Sequence, residues 1–150
     1  MILISHRGNV DGRDPERENS PRYINSALDA GYEVEIDVWY QSGRWYLGHD
    51  EPQHQVELSY LKNKKLWCQA KNIGALRRML GEDIHCFWHQ TDDVTLTSRG
   101  FIWTYPEKPL TNVSVCILTK RDSEIPKKSF AICSDYVIMY KEQFLRTIRE

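Results

Sequence analysis

The sequence predicts an α/β fold, namely a reduced TIM-type (β/α) barrel of about seven to eight strands with several helices shortened or missing. Short apolar segments alternate with turn-rich or helical segments along the chain, as expected for strands joined by crossovers in a mostly parallel sheet. The number of these segments favours a closed barrel over an open sheet. The 150 residues favour one domain covering 1–150, which is short for a standard eightfold barrel of about 250 residues.

The first third of the chain contains the clearest elements. Residues 1–4 are predicted to be an apolar strand that runs directly into polar residues. A helix is expected over 22–30, because Ser20 can cap its N-terminus, Pro21 suits its first turn and Gly31 can end it.

The second strand is predicted over residues 32–40, where polar and apolar side chains alternate. A tight turn at Ser42-Gly43 leads into a short antiparallel strand at 44–47. The other predicted elements are a helical turn at 58–61, helices at 73–80 and 140–148, strands at 65–70, 84–89, 100–105, 113–118 and 130–133, and a loop or weak helix at 91–98.

Two later links explain why the barrel should be reduced. The segments after Tyr105 and after Leu118 are too short for a full helix, whereas a parallel crossover normally takes about a dozen residues or more. Loops or single turns are therefore expected there. The thin helical cover leaves barrel wall for a second copy to bury, so a homo-oligomer is one expectation.

Composition and charge exclude several classes of function. The net charge of −1 provides no general field for nucleic acid or an anionic membrane. No apolar run approaches the roughly 18 residues of a membrane-spanning helix, and the N-terminal apolar run is too short for a signal peptide. A soluble, cytoplasmic protein is expected. The cysteines lack CxxC spacing and are predicted to be buried free thiols at Cys68, Cys86, Cys116 and Cys133.

Two acidic residues on the second strand are candidate ligands for a divalent cation. Glu35 and Asp37 share one side of this strand, and in a barrel the C-terminal strand ends form the active site. Carboxylates that share a space repel each other unless a cation or protons compensate, and their oxygens suit Mg²⁺ or Ca²⁺. The alternative is that they form salt bridges with basic residues of adjacent strands, such as Lys71.

Two histidines and an arginine occupy equivalent strand ends. His6 and His49 could serve as general base and general acid, since imidazole titrates near neutral pH. Arg7 has the planar fork that binds phosphate oxygens, and Gly8 lets the backbone turn closely beneath a ligand. A lone histidine of this kind is more often structural, but the combination favours an active site.

Four motifs in the first 50 residues resemble the glycerophosphodiester phosphodiesterase family of phospholipase-C-like barrels. They are His6-Arg7-Gly8, Glu18-Asn19-Ser20, Glu35-Ile36-Asp37-Val38 and His49-Asp50, in the family's order and at similar spacing. Weaker similarities follow at Gln69-Ala70-Lys71, Trp103-Thr104 and Ser134-Asp135-Tyr136.

The resemblance implies a metal-dependent phosphodiesterase with a small phosphodiester substrate, and it implies a role for each matching residue. His6 and His49 would be the catalytic acid/base pair. The substrate would be bound by Arg7, Lys71 and Trp103, the metal by Glu35, Asp37 and Gln69, and the site would be supported by Glu18 and Asn19.

Two departures from the family leave other functions open. Gln69 replaces the third metal-binding carboxylate and removes one negative charge, so metal affinity should fall. The family's substrate-binding insertions and several helices are also missing, so the cleft should be more open and the substrate need not be a glycerophosphodiester. The alternatives are a barrel that binds a phosphorylated ligand or partner without turnover, and a lyase that stops at a cyclic phosphate.

Aromatic and histidine side chains near the strand ends have two interpretations. Trp39, Trp88, Trp103 and Tyr105 could line the cleft beside the alcohol part of a substrate, or simply pack a small barrel. His85 and His89 are interpreted as structural or surface residues, although His89 ends a strand and could reach the cleft.

Overall fold

The computed structural model describes all 150 residues, which form ten strands and four helices. The strands are β1 (Ile2–His6), β2 (Glu33–Gln41), β3 (Arg44–Leu47), β4 (His54–Val56), β5 (Leu66–Ala70), β6 (Cys86–Phe87), β7 (Val94–Leu96), β8 (Ile102–Thr104), β9 (Ser114–Leu118) and β10 (Ala131–Ser134). The helices are α1 (Pro21–Asp29), α2 (Leu58–Leu61), α3 (Ile73–Gly81) and α4 (Val137–Arg149).

All ten strands belong to one mixed sheet. Its parallel part runs in the order β6-β5-β2-β1-β10-β9-β8, so strands that follow one another along the chain lie side by side, and β1 pairs with the last strand. The antiparallel strands β3 and β4 extend from β2, and β7 pairs antiparallel with β8. The predicted α/β class and mostly parallel sheet are confirmed.

The two faces of the sheet bury separate apolar layers. On β2, Val34, Ile36 and Val38 belong to a layer that also includes residues of α1 and α3. Residues of alternate parity on six strands form the second layer, which comprises Ile4, Trp67, Phe87, Trp103, Val115, Ala131 and Cys133. Glu35 and Asp37 share the parity of this second face, as the alternation predicted.

The parallel part of the sheet curves enough to bring its outer strands β6 and β8 into side-chain contact, although no ladder joins them. Phe87 of β6 stacks on Trp103 of β8 with ring centroids 4.7 Å apart. In a flat sheet the six strand spacings between them would place these strands about 29 Å apart. The Ser98 amide also donates to the carbonyl of Cys86 at 2.8 Å, so the turn after β7 covers part of the gap.

The first helix begins and ends as predicted. Pro21 occupies its first position, and the Ser20 hydroxyl accepts a hydrogen bond from the Tyr23 amide at 3.3 Å. Gly31 follows the helix with a φ of +93°. The links 105–113 and 119–130 contain no helix, which confirms that helical cover is missing there.

One prediction of secondary structure was wrong, and a second was right only in part. Residues 91–98 contain strand β7 rather than only a loop or weak helix, because Val94-Thr95-Leu96 pairs with β8. The strand predicted at 84–89 is limited to the two residues of β6. Strand β4 was not predicted, since three residues carry no periodicity of their own and depend on pairing with β3.

The remaining sequence-level expectations concern cysteines and membranes. All four cysteines are free and buried, as predicted. None of the four helices has both the length and the apolar character required to cross a bilayer.

Candidate active site

A cavity of about 350 Å³ opens where the parallel strands end. Seven of the ten predicted site residues line it: His6, Arg7, Glu35, His49, Gln69, Lys71 and Trp103. Glu18 and Asn19 instead line an adjoining space of about 110 Å³, which Arg7 and His49 share. The curved sheet therefore brings together side chains that lie far apart in the sequence, from His6 to Asp135.

His6, the last residue of β1, is oriented by a carboxylate from the opposite end of the chain. Its Nδ1 lies 2.7 Å from Oδ1 of Asp135, which directly follows β10, and its Nε2 lies 3.7 Å from Oε2 of Glu35. Burial alone would lower the pKa of His6, but the Asp135 hydrogen bond and the charge of Glu35 outweigh it and raise that pKa. The pairing with Asp135 favours a proton on Nδ1 and leaves Nε2 as the exchangeable position.

Arg7 is already engaged by two carboxylates. Its Nη1 donates to Glu18 at 3.1 Å, and its Nε lies 3.1 Å from Oδ2 of Asp37. The second contact is an ion pair without hydrogen-bond alignment, because Nε has no hydrogen-bond partner. Asp37 therefore forms a salt bridge, which was the alternative to metal binding, and its partner is Arg7 rather than Lys71. The Nη2 group makes no hydrogen bond to the protein and remains available to a ligand.

The backbone after His6 is tightly constrained. Arg7 has a left-handed φ of +59° and Gly8 a φ of +96°. A Cβ on Gly8 would lie 2.5 Å from the ring of Tyr23, so only glycine fits here without displacement. This turn directs the Arg7 side chain back beside β2.

The two residues predicted to support the site form hydrogen bonds with its charged groups. The Asn19 side chain donates to Oδ2 of Asp37 and accepts from the Asp37 amide, both at 2.9 Å. Glu18 accepts hydrogen bonds from Arg7, Arg13 and Asn9. Burial would raise the pKa of Glu18, but these donors together lower it.

Glu35 is the one buried carboxylate of the site without a donor. It is 1% exposed, and neither of its carboxylate oxygens has a hydrogen-bond partner. Burial, with a further contribution from the nearby charge of Asp37, raises the pKa of Glu35 to about 8. A carboxylate in this condition is stabilised either by a proton or by a cation.

The three predicted metal ligands come from neighbouring strands. Asp37 and Gln69 are direct register partners on β2 and β5, and Glu35 lies two residues before Asp37 on the same face. The Gln69 amide nitrogen donates to the carbonyl of His89 at 2.9 Å, which leaves its oxygen as a possible ligand atom. Counting only His, Cys, Asp and Glu side chains, no group of three has metal-binding geometry. The orphaned oxygens of Glu35 fit a hard cation, although Arg7 already compensates Asp37.

His49 lies in a more open position than His6. It follows β3 at Gly48, where a Cβ would lie 2.0 Å from the carbonyl oxygen of Glu51. The Gly48 amide donates to the carbonyl of Asp37 at 3.1 Å, which ties this turn to β2. The His49 side chain is 43% exposed, and its Nδ1 lies 2.8 Å from a carboxylate oxygen of Asp50 that is itself 92% exposed. Solvent weakens this pair, so it orients His49 less firmly than Asp135 orients His6.

The aromatic residues divide between the cavity and the surrounding structure. Trp103 and Tyr105 line the cavity, and Trp103 also packs on Phe87. Trp39 instead donates to the carbonyl of Gly48 at 2.7 Å, and Trp88 lies outside the cavity. The wall of four aromatic residues is therefore reduced to two.

Sequence reasoning assigned no role to Asp135 and Asn9, and it understated His89. In the sequence Asp135 belongs only to the weak similarity at Ser134-Asp135-Tyr136, although its position directly after the last strand is a usable signal. His89 lines the cavity, and its Nε2 lies 2.5 Å from the carbonyl of Asp92. His85 is a buried structural residue, as expected, with Nε2 2.8 Å from the Thr97 hydroxyl.

Comparison of the chain with protein-family models, curated proteins and solved structures found no match.

Proposed function

We propose that this protein is a metal-dependent phosphodiester hydrolase similar to the glycerophosphodiester phosphodiesterases. One observation carries the proposal. A single cavity contains the imidazoles of His6, His49 and His89, the cations Arg7 and Lys71, and the carboxylate of Glu35, which has no hydrogen-bond donor. These are the groups needed to bind an anionic diester, move two protons and hold a cation beside the phosphate.

The proposed fold is the reduced TIM-type (β/α) barrel. The contact of Phe87 with Trp103 across the unpaired gap supports closure, as does the pairing of the first strand with the last. The position of the cavity at the C-terminal strand ends agrees with where such barrels carry their active sites.

The proposed reaction uses each histidine for one proton. One imidazole removes the proton from an attacking hydroxyl, which comes from water or from the substrate itself, while the other protonates the departing alkoxide oxygen. The free Nη2 of Arg7 and the ammonium group of Lys71 bind the phosphate oxygens. A divalent cation held by Glu35, with Asp37 and Gln69, would offset negative charge on the phosphoryl group.

The test is cleavage of bis(4-nitrophenyl) phosphate and of a glycerophosphodiester. We expect Mg²⁺- or Ca²⁺-dependent activity that a chelator removes and that H6A or H49A lowers by about 100-fold or more. H54A is the matched control, because His54 lies on β4 outside the cavity. Full activity in H6A, or an activity indifferent to metal, would rule out this mechanism.

A second candidate is a binding protein without turnover. This binding function is favoured because Arg7 already forms ion pairs with Glu18 and Asp37 and because Gln69 lacks a charge. Phosphate binding by calorimetry without cleavage of any diester would support it. Phosphorus NMR of the products separates a hydrolase from a lyase that releases a cyclic phosphate.

Two sequence-based expectations stay predictions. Four reduced cysteines are consistent with a cytoplasmic location, which cell fractionation can test. A homo-oligomer can be tested by light scattering.

A further inference from the structure

The buried side-chain amide of Asn9 lies between the carboxylate that binds His6 and the carboxylate that binds Arg7. Asn9 is 0% exposed, and its Nδ2 donates to Oε1 of Glu18 at 3.0 Å and to Oδ1 of Asp135 at 2.9 Å. Its Oδ1 accepts from the Asp14 amide and from the Tyr23 hydroxyl, both at 3.1 Å. Both donor positions and both acceptor positions of this amide group are thus occupied.

These partners allow the amide only one orientation. Turning it over would point Oδ1 at two carboxylates and Nδ2 at two donors, so four favourable contacts would become unfavourable. Because the side chain has no contact with solvent, water cannot replace the lost bonds.

The two carboxylates that Asn9 joins each hold a different group of the cavity. Asp135 uses the same Oδ1 atom to bind Nδ1 of His6, at 2.7 Å. Glu18 binds Arg7 through its other oxygen, at 3.1 Å. Asn9 is therefore one side chain removed from both His6 and Arg7, while it does not itself line the cavity.

We infer that Asn9 is a positioning residue that fixes His6 and Arg7 relative to each other by bridging the carboxylates of Asp135 and Glu18. The donation from Asn9 fixes the Asp135 carboxylate, which in turn keeps the His6 proton on Nδ1 and Nε2 free. The same amide fixes Glu18, which holds the guanidinium of Arg7. The effect of this residue on turnover rests on the proposed function, but its effect on the His6 ring does not.

The test is N9D, which preserves size but removes both donations and places a third carboxyl group between two others. N72D is the matched control. Asn72 caps α3 through its oxygen, which aspartate retains, and donates to the carbonyl of Tyr40 at 2.8 Å, away from the cavity. Nitrogen-15 NMR of the histidine rings, with His6 assigned by its loss in H6Q, reports the tautomer without any substrate.

We expect neutral His6 to carry its proton on Nδ1 in the wild type and in N72D, and to populate both tautomers in N9D. We also expect kcat/KM of N9D to fall by about 10- to 100-fold, with kcat lowered through His6 and KM raised through Arg7. If N9D fails to fold, Y23F replaces it, because this variant removes only the hydroxyl that holds the amide oxygen and should shift the tautomer in the same direction.

An unchanged His6 tautomer together with wild-type kcat and KM in folded N9D, or in Y23F where N9D does not fold, would overturn the inference. If the wild type cleaves no phosphodiester, the proposed function fails, while the NMR measurement still decides the role of Asn9.

Discussion

The buried carboxyl group of Glu35, which has no hydrogen-bond donor, should make the protein less stable as pH rises. The pKa of Glu35 is raised from an ordinary value of 4.5 to about 8 by burial and the charge of Asp37, so the unfolded chain releases this proton first. Between those values the folded state binds more protons than the unfolded state, and stability must fall with increasing pH. Stability from this group is fully present below pH 4.5 and is lost as pH rises towards 8.

The size of the effect follows from the proton linkage. Each pH unit within this window contributes about 1.4 kcal/mol, so the difference between pH 4.5 and pH 7 approaches about 3 kcal/mol as an upper limit. E35Q has the same shape and cannot titrate. The amide is as poorly hydrogen-bonded as the protonated acid, so the two proteins should be compared through the slopes of their stability curves rather than at one pH.

The assay is urea unfolding of the wild type, E35Q and the surface control E57Q at pH values from 5 to 8. We expect the stability of the wild type and E57Q to decline relative to that of E35Q by roughly 1 kcal/mol per pH unit. Mg²⁺ or Ca²⁺ should restore stability to the wild type at pH 8 and not to E35Q, because ligand binding stabilises only the folded state that holds the site. Parallel pH curves for wild type and E35Q would refute the reasoning.

Two further predictions concern other parts of the fold. Burial lowers the pKa of His85 to about 4, so the stability of the wild type should fall as pH drops from 6.5 to 4. H85F should lack this dependence in urea unfolding. The same pH dependence of stability in H85F and the wild type would contradict the prediction. G48A should lose about 1–3 kcal/mol of stability and most activity, because its Cβ would meet the Glu51 carbonyl oxygen at 2.0 Å and displace the turn that carries His49. G81A is the control, since nothing lies within 4 Å of a Cβ at Gly81, and wild-type behaviour of G48A would show that this turn can adapt.

Much of the local structure could be predicted because it depends on neighbours in sequence. The cap at Ser20, the first-turn Pro21 and the glycine after α1 act within one helix, and the structure confirms them. The alternation on β2 likewise placed Glu35 and Asp37 on one face. Strand β7 was missed because its three residues gain their strand conformation from pairing with β8.

The candidate site was predictable as a set of residues but not as an arrangement. Polar side chains at successive strand ends can be found from the sequence, since parallel strands direct those ends to one edge. Which carboxylate is compensated could not be found in this way. Asp37 is paired with Asn19 and with Arg7, whose backbone lies in a left-handed turn. Glu35, two residues earlier, has no hydrogen-bond donor.

The sequence by itself determined the α/β class, the mostly parallel sheet, the missing helices and the chemical types gathered at the strand ends. Only the tertiary structure decided the partner of each charged group. Asp135 reaches His6 because β10 pairs with β1 across 129 positions of sequence, and the buried Asn9 joins Asp135 to Glu18. Periodicity reports which face a side chain occupies, while hydrogen bonding and charge compensation depend on distances of a few ångströms that only the folded chain establishes.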